Sequence, residues 1–325
     1  MTWISFPRRR ALMAMLVLLC GPVAAQSYPD KPVRVVVPFP AGGGTDVVAR
    51  IAGSALQVNM KQAIVVDNRP GASGVIGSDY VAKAQPDGYT LLFTIPILLQ
   101  TASAMPKIPY DPLRDFVPVT TLVSAPLWLA VSTSRVKATD FAAFTSEAKA
   151  TTKKWEYSSF GNASSSHLYG HALNQALSAG MLHVPYKGGS AAVQALANGE
   201  VAAMWTDYPS VRPYVASGKV RIIASSGAKR SRLTPDVPTL SELRLPGFEA
   251  LGWGAFFAPA GTPPEVVKRL QTEISAVTRN PDVVKKFADL GYEPGGKPQP
   301  EFAADVRADQ ARWSALIKAA DIRLD

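Results

Sequence analysis

One stretch, Val33 to Leu56 (VRVVVPFPAGGGTDVVARIAGSAL), restricts most sharply the folds open to this chain. Val33-Arg34-Val35-Val36-Val37 is a β-branched run, too short for a helix and suited to a buried strand. Pro38 and Pro40 end it, because neither can donate to a ladder. Ala41-Gly42-Gly43-Gly44 follows as a turn without bulky side chains. Thr45 or Asp46 can then cap a helix whose apolar positions Val48, Ile51, Ala52 and Ala55 fall at helical spacing. Strand, glycine turn and helix start together aim backbone N–H groups at one point, beside the positive end of a helix dipole. That arrangement suits a carboxylate or another small anion.

Two other readings compete. A phosphate P-loop needs Gly-x-x-x-x-Gly-Lys-Ser/Thr, and no lysine follows Gly44 before Lys61. The dinucleotide fingerprint Gly-x-Gly-x-x-Gly is met by Gly42 and Gly44 but broken by Val47, although Asp67 stands about 20 residues on, where that motif wants an acid. The glycines also allow a tight strand-to-helix turn that binds nothing.

The first 25 residues read as a secretory signal peptide, with Arg8, Arg9 and Arg10 as the basic region and Ala11 to Cys20 as the apolar core. Val23-Ala24-Ala25 supplies small residues for cleavage after Ala25. The apolar run is too short to span a membrane. Export to the periplasm as a soluble protein is therefore expected. Leu19 is too bulky before Cys20 for a lipoprotein site. Cys20 is the only cysteine of the 325 residues, so cleavage leaves about 300 residues with no thiol, disulfide or cysteine metal site. The formal charge falls from +9 to about +6 on losing the three arginines. The remaining basic residues are dispersed, which argues against a nucleic-acid face, and the modest excess can steer anions inward.

In chain order, Ala63–Val66 reads as a second strand, Asp67–Gly74 as a second glycine-rich turn, Val75–Ala84 as a helix and Tyr89–Thr94 as a strand. This alternation predicts a parallel sheet with helices on its faces. Apolar runs at Val119–Val123 and Leu127–Val131 mark a crossing into a second lobe. There the plan repeats: strand Trp155–Ser158, the polar loop from Ser159, a helix from His167, strand His183–Val184, the turn at Tyr186–Gly189, then strand Val201–Thr206 and a helix start at Asp207. Phe248–Ala258 reads as the crossing back, followed by three helices. The expected class is α/β, two-lobed, each lobe a mostly parallel sheet flanked by helices and joined by crossover strands. Residues 26–125 and 249–325 form lobe 1, and 126–248 form lobe 2. Loops at strand C-terminal ends would face each other across a cleft, where open α/β sheets bind ligands.

Read together, YPDKPVRVVVPFPAGGGTDVVAR (28–50), DNRPGASGVIGSDYVAKAQPDGYTLLF (67–93), HVPYKGGSAAVQALANGEVAAMW (183–205), AKRSRLTPDVPTLSE (228–242) and FAPAGTPPEVVKRL (257–270) resemble one family. It comprises the Bug-type, TctC-like extracytoplasmic solute-binding receptors of the tripartite tricarboxylate transporter systems, and the likeness covers the mature chain in order. The resemblance implies a type II periplasmic-binding-protein fold and a small carboxylate ligand enclosed by backbone groups and a few polar side chains. Carried onto this sequence, the first-lobe site is Phe39, Ala41, Gly42, Gly43, Gly44, Thr45 and Asp46. The second-lobe site is Ser159, Phe160, Asn162, Ser164 and Ser165, with Tyr186, Lys187, Gly188 and Gly189, and Asp207. The implied partners are that ligand and the transmembrane subunits of a tripartite transporter, with the receptor a monomer, no cofactor and no catalysis. Members usually have a second proline where Ala41 stands and often alanine where Gly44 stands, changes that loosen the loop but keep its donors.

Several residues admit two roles. Asp207 either accepts a ligand ammonium or hydroxyl or caps the helix after it. Lys187 either pairs with a ligand carboxylate or is solvated. Arg69 either reaches the cleft mouth or braces its own loop, the second being favoured. The run Ile95-Pro96-Ile97-Leu98-Leu99 is more apolar than the family pattern and suggests a ligand with an apolar body. His167 and His171 have metal-ligand spacing, but Leu168 breaks the His-Glu-x-x-His motif. The serines near His167 lack a Gly-x-Ser-x-Gly elbow and read as helix caps rather than a hydrolase site. Two alternatives to transport remain: a role in presenting the ligand to a sensor kinase, and an exported hydrolase.

Overall fold

Short β-branched strands alternating with amphipathic helices favour parallel pairing, and that preference builds the parallel part of each sheet. The computed structural model describes residues 28–323; the expected signal peptide lies outside them. In the first sheet, β1 (Val33–Val37) pairs in parallel with β2 (Ile64–Asn68) and β3 (Thr90–Thr94), Val35 standing opposite Val66 and Leu91. Helices α1 (Gly44–Met60) and α2 (Val75–Ala82) make the crossovers. Three antiparallel strands complete it: β4 (Phe116–Ala125), β10 (Gly252–Pro259) and the short β11 (Glu293–Pro294), in the order β11-β4-β10-β3-β1-β2.

The second sheet has the order β7-β6-β8-β5-β9. Its parallel part is β6 (Glu156–Ser159) between β7 (Leu182–Pro185) and β8 (Ala203–Thr206). Strand β5 (Trp128–Ser132) runs antiparallel to β8 and to β9 (Val220–Ser225). The chain crosses between sheets from β4 to β5 with only Pro126 and Leu127 intervening, and returns through β10, as the apolar runs predicted. Around this sheet lie α4 (Phe141–Ala150), α5 (Ser165–Leu177), α6 (Gly189–Ala197) and α7 (Tyr208–Ala216).

Two expectations are corrected. Asp67 and Asn68, read as loop, continue β2 opposite Val36 and Val37. Ile97–Ala104 is a helix, α3, and Ile97, Leu98 and Leu99 are buried in it, with Leu98 and Leu99 in the central core. Their apolar character serves packing, so the run gives no support to an apolar ligand body.

The core is continuous from one sheet to the other. Helices α8 (Pro264–Val277), α9 (Pro281–Asp289) and α10 (Gln299–Ala319) return the chain to the first sheet. Trp313 of α10 lies 5.8 Å from Tyr169 of α5, which packs in turn on Trp205 and Phe248. The Tyr169 hydroxyl donates to the Ala250 carbonyl at 3.1 Å, just before the returning crossover strand. Such aromatic clusters stabilise through both buried area and ring geometry. In the second lobe α5 approaches the sheet closely at Gly170, where an added Cβ would stand 2.3 Å from Cε2 of the buried Tyr157 ring. Gly170→Ala is expected to lower folding stability by about 1–3 kcal/mol through overpacking, read from the midpoint of denaturant unfolding.

Candidate functional site

The first-lobe turn is built by a buried carboxylate. Asp46, 2 % exposed, accepts from the Gly42 N–H at 2.8 Å, Arg50 Nε at 3.0 Å and Asn68 Nδ2 at 2.9 Å. Asn68 Nδ2 also donates to the Phe39 carbonyl, so both ends of the turn are tied to β2. Burial alone would raise the Asp46 pKa; the donors Arg50, Gly42 and Asn68 outweigh it and hold the carboxyl below its usual value. Its side chain is therefore committed to the turn, while Ala41 and Gly42 are exposed and Phe39, Gly43, Gly44 and Thr45 half-buried.

The helix this turn opens has no side-chain cap. Gly43 is the N-cap of α1, and the first i→i−4 bond runs from the Val47 N–H to its carbonyl at 3.0 Å. The N–H groups ahead of Val47 thus lack intrahelical partners. Gly42, at φ +81°, needs to be glycine for its backbone. Gly43, at φ −77° and ψ 164°, does not, and an added Cβ would meet only the Pro40 carbonyl at 3.6 Å. Glycine at Gly43 is a favoured N-cap residue and leaves no side chain over those N–H groups.

In the second lobe, Ser159 ends β6, and its buried Oγ bonds with Gly161. The Ser159 carbonyl accepts from the Tyr186 N–H and the Phe160 carbonyl from the Gly188 N–H, both at 3.1 Å, which joins the two predicted loops. Gly188, at φ +104°, is the N-cap of α6, again without a side-chain cap. Gly189 faces the Phe160 ring and Ser210 Oγ, both within 3.7 Å of where its Cβ would be. Asn162 and Lys187 are exposed. Ser164 caps α5, accepting from the His167 N–H. Asp207 caps α7, its two oxygens each 3.0 Å from Ser210, one accepting from the backbone N–H and one from the hydroxyl. Burial pushes its pKa up, yet it is not sealed from solvent.

The predicted segments of both lobes converge. A Cβ at Gly44 would lie 2.9 Å from the Tyr292 hydroxyl, and Tyr292 feels the charge of Asp207. A Cβ at Gly161 would lie 4.0 Å from Ser73 Oγ of the first lobe. Gln100 Nε2, on fully buried Gln100 of α3, donates to Ser165 Oγ at 2.7 Å. Tyr292, Ser73, Gln100 and Ser210 escaped the sequence reading. Ser73 sits in the second glycine-rich turn and so had a signal; the other three had none. Arg69 braces, donating to Asp67 at 2.9 Å and covering the Tyr80 ring. The surface recess of about 830 Å³ lined by Arg34, Arg69 and Tyr80 lies outside this cluster.

Residues 48–322 match the family model described as the tripartite tricarboxylate transporter family receptor. The chain belongs to this family. It is 34 % identical to the protein BugT of Bordetella pertussis over 326 residues, covering 99 % of this chain and 100 % of that one. An R. palustris protein solved with adipate is 33 % identical, with TM-score 0.84, over 91 % of this chain and 99 % of that one. MatC from Rhodopseudomonas palustris, solved with malate, is 32 % identical, with TM-score 0.79, over 89 % and 100 %. Like the other receptors of this family, the chain is a solute-binding protein and not an enzyme. Among its described residues no helix is long and apolar enough to cross a membrane.

In this receptor all three histidines of the sequence gather beneath the second-lobe loop. The His167 and His183 rings stack at 3.6 Å. His183 Nε2 bonds to Ser159 Oγ at 2.7 Å, and His167 Nδ1 accepts from the Ala163 N–H at 3.1 Å, pinning Ala163 at φ +59°. Among the described residues no three metal-ligating side chains are placed to hold an ion. Burial, with the neighbouring histidines, lowers His167 to about 4 and His183 to about 3. Both are neutral in the native protein at pH 7. Below the ordinary value of 6.5 the unfolded chain binds protons that the native chain refuses, so stability falls as pH drops from 6.5 towards 3. The melting temperature of His183→Gln, which keeps a polar group beside Ser159 but cannot titrate, is expected to fall less steeply over that range than that of the wild type.

Proposed function

We propose that the protein captures a small carboxylate-containing solute between its two lobes and delivers it to the membrane subunits of a tripartite tricarboxylate-type transporter. The observation that carries the reading is the uncapped start of α1 at Gly43, a glycine whose backbone would accept any residue. Helix N-termini left without caps attract anions through unpaired N–H groups and the helix dipole. The α6 start at Gly188 offers a second such end from the other lobe, whereas α5 and α7 are capped by Ser164 and Asp207.

In this reading the lobes are residues 26–125 with 249–325, and 126–248. The Phe39–Asp46 turn and the loops at Ser159–Ser165, Tyr186–Gly189 and Asp207 line the cleft. Carboxylate contacts to both lobes favour the closed arrangement over the open one, and the hinge lies in the crossover strands. The receptor works in the periplasm as a monomer after its signal peptide is cleaved behind Ala25. The adipate and malate held by two relatives about one-third identical support a carboxylate here.

The test is a thermal-shift screen of the mature protein against citrate, malate, succinate, adipate, aspartate and benzoate. An acid at a hundred times its Kd adds about 2.7 kcal/mol and raises Tm by several degrees. Gly43→Val is expected to fold, with at most a modest fall in melting temperature from the poorer N-cap, and to lose that shift. Absence of a shift from every acid, together with no acid released from the denatured protein by mass spectrometry, would overturn the reading.

A further inference from the structure

Tyr292 reaches the cleft from a short turn held by both lobes. Its N–H donates to the Phe287 carbonyl of α9 at 2.9 Å, and the next residue, Glu293, enters β11 opposite Ser124. Gly291, just before it, lies at φ +81° against the second lobe, where an added Cβ would stand 2.8 Å from Leu233 Cδ1 and 3.0 Å from Tyr208 Cβ. The backbone that carries Tyr292 is thereby fixed on two sides.

The phenol it positions is chemically unspent. Its oxygen is open to solvent rather than sealed in the core, so it is free to meet a ligand. Here the ring is only partly exposed, and among the described residues its hydroxyl makes no hydrogen bond. It stands at the first residue of α1, within 2.9 Å of where a Gly44 Cβ would be, so alanine there would displace it. Burial first, and the Asp207 carboxylate second, raise its pKa, which keeps the proton on the phenol and makes it a donor. At the start of α1 the unpaired backbone N–H groups and this O–H are donors, with the Pro40 carbonyl and the Asp207 carboxylate as the acceptors nearby.

We propose that Tyr292 is a specificity-determining residue of the cleft, its hydroxyl donating a hydrogen bond to the ligand carboxylate seated at the start of α1, with Gly44 leaving the space it occupies. The proposal rests on the carboxylate reading above. It implies that one carboxylate oxygen is read by a side chain as well as by backbone, and that a group unable to accept a hydrogen bond is disfavoured at this point.

The experiment is isothermal titration of wild type, Tyr292→Phe, Gly44→Ala and the double variant with whichever acid of the panel shifts Tm most. Loss of a hydrogen bond to a charged group should weaken binding by about 10- to 100-fold in Tyr292→Phe, with the unliganded melting temperature unchanged. Gly44→Ala should lose a similar factor, and the double variant little more than either, because both remove the same contact. Equal affinity of Tyr292→Phe and wild type overturns the proposal while leaving the carboxylate reading intact. So does an affinity loss matched by a fall in unliganded stability, or strictly additive losses. If the wild type binds none of the acids, the carboxylate reading fails and takes the proposal with it.

Discussion

The buried Asp46 carboxylate is the constraint on which the first lobe's glycine turn depends. A three-glycine turn has little to hold it, since glycine loses the most conformational entropy on ordering. Asp46 supplies the order by accepting from Gly42, Arg50 and Asn68 at once. Charge-assisted bonds of this kind are stronger than neutral ones, and a buried carboxylate is tolerated only when its lone pairs are so satisfied. The carboxylate at the third position of α1 therefore does for the turn what an N-cap side chain would do for the helix, and the N–H groups at the helix start stay unmasked.

The second lobe reaches a comparable loop by different means. Its polar segment passes through Gly161 at φ +139° and Ala163 at φ +59°, and neutral imidazoles hold it from below. A non-glycine residue in the left-handed region is held there only by its surroundings. The histidine stack supplies that hold without a charge, so no desolvated ion has to be compensated beneath the loop.

Between the lobes the structure divides labour by chemistry. Where the chain crosses, aromatic packing of Tyr169, Trp205, Phe248 and Trp313 forms an apolar joint. Nearer the loops the meeting residues are polar: Gln100 on Ser165, Ser73 facing Gly161, Tyr292 beside Asp207. Apolar contact is non-directional, whereas each polar contact needs a defined partner. That distribution puts the directional groups at the loops predicted to face the solute.

Much of this was legible in the sequence, for local reasons. Strand β1, the glycine turn and α1 follow from β-branching, proline and helical spacing within 24 consecutive residues. The crossover strands were visible as apolar runs, and the capping of α7 by Asp207 as one of its two readings. The tertiary structure decided what depends on partners distant in sequence. Ile97–Leu99 pack as a core helix because α10 and the first sheet enclose them, which no local pattern states. Asn68 joins β2 because β1 extends opposite it. Tyr292 meets Gly44 across about 250 residues of chain, because β11 pairs with β4 and carries it there. Sequence fixes what a segment can be, since propensity and periodicity are local; which side chains share one space is set by strand pairing and packing, which are not.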